Sequence, residues 1–144
     1  MMNGKNLKIL FISPSSMSIK EREAFLGKSS ILRVPSFSMP IGLMDICAFL
    51  RDKFKDIDIR ILDIGKDLYK IYMNRQNSPA MTFRQFCESE LGTVDFEPDI
   101  VGISILFSAA HNSSSLMAGM VKNKWRKAVV ICGGTHATNF CGNL

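Results

Sequence analysis

The sequence has no C-x-x-C pair, no long apolar run and, beyond Asp99, no Asp or Glu at all. Each absence removes a class of function. Cys47, Cys87, Cys132 and Cys141 stand at wide, irregular spacings, which excludes the usual zinc and dithiol motifs and leaves reduced, mostly buried thiols as the expectation. Cys132, His136 and Cys141 do supply metal-ligand atom types. However, Cys132 falls in an apolar strand and a fourth ligand is missing, so no metal site is expected. The longest apolar runs, such as residues 103–106 and 129–132, are strand-sized and far short of the roughly 20 residues of a membrane span. The first residues lack the long apolar stretch and small-residue cleavage site of a secretory signal, so a cytoplasmic location and no membrane partner are expected.

The missing carboxylates bear on catalysis. Gly102-Ile103-Ser104 after a strand has part of a hydrolase nucleophile elbow, but Leu106 stands where its last glycine belongs. With no acid after Asp99, the Ser, acid, His order of that fold cannot be completed. Gly27-Lys28-Ser29 has the ending of a phosphate loop, with Arg22 in place of its first glycine. Pro14-Ser15-Ser16 replaces the spaced glycines of a nicotinamide fingerprint. Ser13 and Ser104 stand where a phospho-acceptor domain needs carboxylates.

What is present is one domain's worth of globular sequence: 144 residues, 47% apolar, 22% charged, with a net charge of +5. The basic residues are scattered and not interleaved with aromatics, so no nucleic-acid partner is expected. Lys122, Lys124, Arg126 and Lys127 cluster where a helix should end, which its dipole accounts for. Apolar runs at 8–13, 58–63, 100–104 and 128–132 read as strands. Pro40 opens a helix to about Phe54, with Leu43, Cys47, Leu50 and Phe54 on one buried face. Residues 68–72 read as partly helical. Thr82 with Gln85 forms a capping box, and Met81 with Phe86 a hydrophobic staple, starting a helix to about Leu91. Leu116, Met117, Met120 and Val121 mark another helix, beginning after the Ser-rich stretch 111–115. Residues 14–39 are polar and aperiodic, a candidate binding loop.

Strands apolar on both faces and alternating with helices predict an α/β, doubly wound parallel sheet covered on both sides. Ligands of such sheets bind beyond the carboxyl ends of the strands. That rim carries Ser13, Pro14, Ser15, Ser104, Leu106, Phe107, Ser108, Gly133, Gly134, Thr135 and Thr138. It has few charges and no obvious acid or base, which suits holding a large, mostly neutral ligand better than acid-base catalysis.

Ser104-Ile105-Leu106 after the third strand and Gly133-Gly134 after the fourth resemble the S-x-L and G-G elements of cobalamin-binding domains. The family's D-x-H-x-x-G element is absent, and no histidine occurs between Ser13 and Met39. The resemblance is therefore to the N-terminal cobalamin-binding domain of cobalamin-dependent radical S-adenosylmethionine proteins, whose members commonly bind cobalamin without a histidine ligand. Pro40-Ile41-Gly42-Leu43, Ile61-Leu62-Asp63, Pro98-Asp99-Ile100-Val101-Gly102-Ile103-Ser104 and Gly133-Gly134-Thr135-His136-Ala137-Thr138 carry the likeness over most of the chain. It implies a Rossmann-like or flavodoxin-like domain spanning residues 1–144 and binding base-off cobalamin. Ser104 would meet the nucleotide tail, while Gly133 and Gly134 let it pass close to the backbone. Gly42, and His136 on the tail side without ligating cobalt, join the rim residues in holding it.

The cluster-binding C-x-x-x-C-x-x-C triad is absent. The resemblance accordingly implies that the 4Fe-4S cluster and S-adenosylmethionine belong to a catalytic domain in cis beyond Leu144, with no catalysis by these residues alone. It also implies a sheet cut after about four strands, with an exposed edge through which copies could self-associate. The competing expectation is a cofactor-free interaction or substrate-positioning domain whose loop over 14–39 fills the site.

Overall fold

The computed structural model describes residues 6–27, 39–74 and 78–139. In chain order these form β1 (Leu7–Ser13), α1 (Ile19–Leu26), α2 (Ile41–Lys53), β2 (Ile57–Asp63), α3 (Ile64–Met73), α4 (Phe83–Gly92), β3 (Ile100–Ser104), α5 (His111–Lys124), β4 (Val129–Gly133) and the short α6 (Thr135–Asn139). A 3₁₀ turn, Ser108–Ala110, leads into α5. The four strands make one parallel sheet in the order β2-β1-β3-β4. This is the doubly wound α/β arrangement, with its switch in winding direction between β1 and β3.

The strand parity sorts the side chains onto two faces. On the first, Leu10, Ile12, Leu62, Val101 and Ile103 meet Phe25 and Leu26 of α1, Leu68 of α3, Phe83, Phe86, Cys87 and Leu91 of α4, and Met117, Met120 and Val121 of α5. On the second, Ile9 and Ile59 pack on Cys47 of α2, with Phe11, Leu50, Ile57, Ile61 and Ile100 around them. Coverage of both faces is therefore uneven. Val129 and Ile131 of β4 are 56% and 53% exposed, because α2 lies over β1 and β2 and no described helix covers that end of the second face.

Side-chain caps start α1, α3 and α4. The box of Thr82 and Gln85 forms as expected, at 3.2 Å and 2.9 Å. A second box was not anticipated: Ser18 Oγ accepts from the Glu21 amide and Glu21 accepts from the Ser18 amide, starting α1 inside the stretch expected to be aperiodic. The remainder of that stretch, residues 28–38, lies outside the described residues. Helix α5 begins at His111, five residues before the apolar stripe suggests, since the hydroxyls of Ser113 and Ser114 fold back onto the Ala110 carbonyl at 2.8 Å and can be buried. Phe54 is the exposed C-cap residue of α2 rather than part of its buried face. Lys122 donates to the Arg126 and Ala128 carbonyls and Lys124 to Leu91, so the basic cluster satisfies chain-end oxygens as well as the dipole.

Among the cysteines, Cys47 and Cys87 are buried and Cys132 is exposed on the edge strand, against the expectation for it. Burial pushes the Cys87 thiol up to about 12, so it is an unreactive packing residue.

Helices α3 and α4 meet through two carboxyl groups. Burial first, then the charge and hydrogen bond of Asp67, raise Glu90 from the ordinary 4.5 to about 7, while Lys70, 2.7 Å from Asp67, opposes the shift. A carboxyl whose folded value lies above its unfolded value favours the fold most below the unfolded value and loses that contribution as pH rises through the folded one. Glu90→Gln mimics the protonated form. Thermal melts should show the variant matching the parent near pH 4 and becoming progressively more stable than it between about pH 4.5 and pH 7; a pH-independent difference would remove Glu90 as the cause.

Candidate functional site: the rim groove

Two backbone hydrogen bonds pull the ends of β3 and β4 together. The Ile105 amide donates to the Gly133 carbonyl at 2.6 Å, and the His136 amide donates to the Ile105 carbonyl at 3.0 Å. Gly134 bridges them with φ 98°, a region that favours glycine, and a Cβ there would lie 2.7 Å from the Ile105 carbonyl oxygen. Gly133 differs: nothing lies within 4 Å of where its Cβ would be. One glycine is needed for the close backbone approach, and the other leaves open space.

That space is the mouth of a groove of about 730 Å³ between α2 and the uncovered part of the sheet. Ile9, Phe11, Ile100, Gly102 and Ile131 form its floor, Leu43, Ile46 and Leu50 of α2 its wall, and the segments after β1, β3 and β4 its rim. The register places Phe11 beside Gly102 and Gly102 beside Ile131. A Cβ on Gly102 would sit 2.6 Å from the Phe11 ring, so the missing side chain is what lets that ring lie flat across β3.

Of the thirteen residues expected at the site, Ser13, Pro14, Ser15, Gly42, Ser104, Leu106, Phe107, Gly133 and Gly134 line this one groove. Ser108, Thr135, His136 and Thr138 do not line it. Ser15 is buried, and its hydroxyl accepts from the Met17 amide at 3.2 Å, which shapes the turn after β1. Thr138 bonds back to the Gly134 carbonyl at 3.1 Å within α6. The ring of His136, only 9% exposed, lies 3.2 Å from Ser108 Oγ through Nδ1 and 3.2 Å from His111 Nδ1 through Nε2. With both nitrogens engaged, this imidazole has no lone pair directed at a metal in the groove.

Asp63 was missed. It ends β2, accepts from the Lys66 amide at 3.1 Å as the N-cap of α3, and lines the groove. Burial pushes its carboxyl up, partly offset by its backbone hydrogen bonds and Lys66. The signal was available, since an Asp between a strand and a helix is a favoured cap.

No family model matches the chain, and no curated protein or solved structure matches it significantly. The site therefore stands on its geometry. Chemically, it offers an apolar floor, small rim residues, hydroxyls and backbone groups. Among the described residues it has no cluster of three or more metal-ligating side chains, and no helix long and apolar enough to cross a membrane. Cys141, considered above as a ligand atom type, lies outside the described residues.

The two glycines should separate in a stability assay. Gly134→Ala forces an alanine into the left-handed region, about 1–2 kcal/mol for the dihedral alone, and adds the clash with Ile105. Its melting temperature should fall by at least about 4 °C. Gly133→Ala should melt at or slightly above the parent value, because its methyl enters open space; equal losses at both positions would contradict the assigned close approach.

Proposed function

We propose that this chain is a cobalamin-binding module, holding the cofactor base-off and without a histidine ligand, in a protein whose radical S-adenosylmethionine chemistry is carried out by other residues. The observation that carries the reading is the apolar groove entered at Gly133, where a side chain would fill the opening. Its floor is flat and aromatic at Phe11, its rim bears the Ser13 and Ser104 hydroxyls, and its position is the winding switch where such sheets take ligands. These features fit the tail of a corrinoid, which needs a narrow apolar slot for its base and uncharged partners for its sugar. The engagement of both His136 nitrogens fits binding without a protein ligand on cobalt.

In this reading Ser104 donates to the tail, Gly133 and Gly134 expose backbone to it, and Leu106 and Phe107, both exposed, lie against the ring system. Ser13, Pro14, Ser15 and Gly42 close the opposite side of the mouth. Cobalamin, once bound, supplies a cobalt centre able to carry an alkyl group. The residues here bind and orient it and exclude water from its lower side, and a radical S-adenosylmethionine domain would approach the upper side.

A second reading is favoured by one observation. Among the described residues, β4 is the last strand of the sheet and its Val129 and Ile131 are exposed, as expected of a cofactor-free interaction domain that pairs with a partner or a second copy.

Titration of the folded protein with hydroxocobalamin decides between them. The first reading expects saturable heat and a base-off absorption spectrum, with Gly133→Leu keeping the parent fold by circular dichroism and losing at least about tenfold in affinity. Absence of binding by a protein with an intact melting transition overturns it.

A further inference from the structure

The chain has two histidines, 25 residues apart, and the fold brings them into contact. Their rings meet edge to face with centroids 5.3 Å apart. His111 opens α5, His136 lies in α6, and Ser108 sits in the 3₁₀ turn between β3 and α5. The result is a hydrogen-bonded row: Ser108 Oγ, His136 Nδ1 at 3.2 Å, His136 Nε2, His111 Nδ1 at 3.2 Å.

The row is graded in exposure. Ser108 is exposed, His111 half-buried and His136 buried. A hydroxyl at the surface needs no protein partner to be satisfied, yet this one faces a buried imidazole whose far nitrogen is held by a third group. Nucleophile, base and orienting group in hydrogen-bond reach is the arrangement that activates a serine. The absence of carboxylates after Asp99 excludes an acid as the orienting group from that part of the chain, but a second imidazole can fill the place. When His136 carries its proton on Nε2 and donates it to His111 Nδ1, its Nδ1 lone pair faces the Ser108 hydroxyl.

We propose that Ser108 is a nucleophile and His136 its general base, with His111 the positioning residue, and that the chain hydrolyses esters of apolar acyl groups. The substrate class follows from the neighbours: Leu106 and Phe107, large apolar side chains that precede Ser108 in sequence, are both exposed beside it. Ser108 Oγ attacks the ester carbonyl carbon while its proton passes to His136 Nδ1. The tetrahedral adduct collapses, the C–O bond to the alcohol breaks, and the leaving oxygen takes that proton. Water, deprotonated by the same nitrogen, then attacks the acyl carbon; the bond from that carbon to Ser108 Oγ breaks, Oγ takes the proton back from His136, and the acid leaves. Each turnover consumes one ester and one water and returns His136 to its starting state. The proposal does not rest on the corrinoid reading, since Ser108 and His136 do not line the groove.

The purified chain is treated with a fluorophosphonate probe and mapped by peptide mass spectrometry, and hydrolysis of p-nitrophenyl acetate, butyrate and octanoate is followed. The probe should mark Ser108, and octanoate should be turned over faster than acetate. Ser108→Ala, at an exposed position, should abolish both labelling and hydrolysis with an unchanged melting curve. His136→Gln should lose at least about 100-fold in kcat. His111→Ala should lower kcat with KM held, and His111→Asn, whose amide oxygen can stand in for Nδ1, should recover part of it. Ser115→Ala, exposed on α5 and outside the row, should behave as the parent. Labelling elsewhere, or Ser108→Ala with parental hydrolysis, overturns the proposal; so does an unlabelled, inactive parent that melts normally. Should His136→Gln fail to fold, Ser108→Cys keeps the test open, since a cysteine paired with His136 should be alkylated by iodoacetamide faster than exposed Cys132.

Discussion

The hydrogen bonds on either side of Ile105 are the constraint from which the rest of the rim follows. Ile105 is buried, and its amide and carbonyl both bind the turn after β4. This continues the pairing of β3 and β4 beyond the last ladder residues, Ser104 and Gly133. Two chain segments that would diverge at the end of a parallel sheet are instead held in contact. The exchange requires Gly134 at positive φ, since a side chain there would meet the Ile105 backbone. Once it forms, Gly133 is left facing open space, α6 starts at a fixed place, and His136 is delivered to the Ser108 hydroxyl. A small local requirement thereby positions both the groove mouth and the imidazole row.

The groove itself is a consequence of parity. With β1 and β3 side by side in the sheet, the second face carries Ile9, Phe11, Ile100 and Gly102. Helix α2 shields the β1 and β2 part of that face, burying Cys47 against Ile9 and Ile59. Toward β4 the face stays open, because Gly102 contributes no side chain and Val129 and Ile131 are exposed. The other face is covered more fully among the described residues: four helices press on it, and one cluster joins residues from Leu10 to Ala128. Stability and ligand space are thus assigned to opposite sides of one sheet.

Strands, the parallel sheet and the helices at 41–53 and 83–92 were legible because apolar periodicity, Pro40 and the Thr82 cap act locally. Helix α1 was legible too but was passed over: Ser18 and Glu21 have capping-box spacing, and the weak amphipathicity of Ile-Lys-Glu-Arg-Glu-Ala-Phe-Leu hid it. The unequal covering of the sheet was not legible, since Val129 and Ile131 read as buried by composition, and only the placement of α2 shows which strands it reaches. The pairing of His111 with His136 was beyond sequence reasoning altogether, as it depends on how far α6 turns after Gly134. Nine of the thirteen expected rim residues gather in one groove because strand ends in a parallel sheet share one edge. The other four, Ser108, Thr135, His136 and Thr138, lie in the 3₁₀ turn and α6, outside the lining.

Electrostatics decide what kind of ligand the groove can select. Two charged groups flank the turn after β1. Asp63 lines the groove, with its acidity weakened by burial. Arg22 is wholly buried beneath Ser15, with Nη1 3.4 Å from the Ser15 carbonyl and the guanidinium 4.3 Å from the Phe83 ring centroid. Its Nε and Nη2 have no hydrogen-bond partner among the described residues, and burial lowers its pKa. A cation held by a carbonyl and an aromatic face is oriented inward, so it lends positive potential to the loop without presenting a donor at the surface. The carboxyl opposite is engaged as a helix cap. Arg22 is therefore not free to form an ion pair with an entering molecule, and burial disfavours the charged form of Asp63. Selection in the groove must rest on shape, apolar contact and neutral hydrogen bonds, which favours a large uncharged body over a small ionic one.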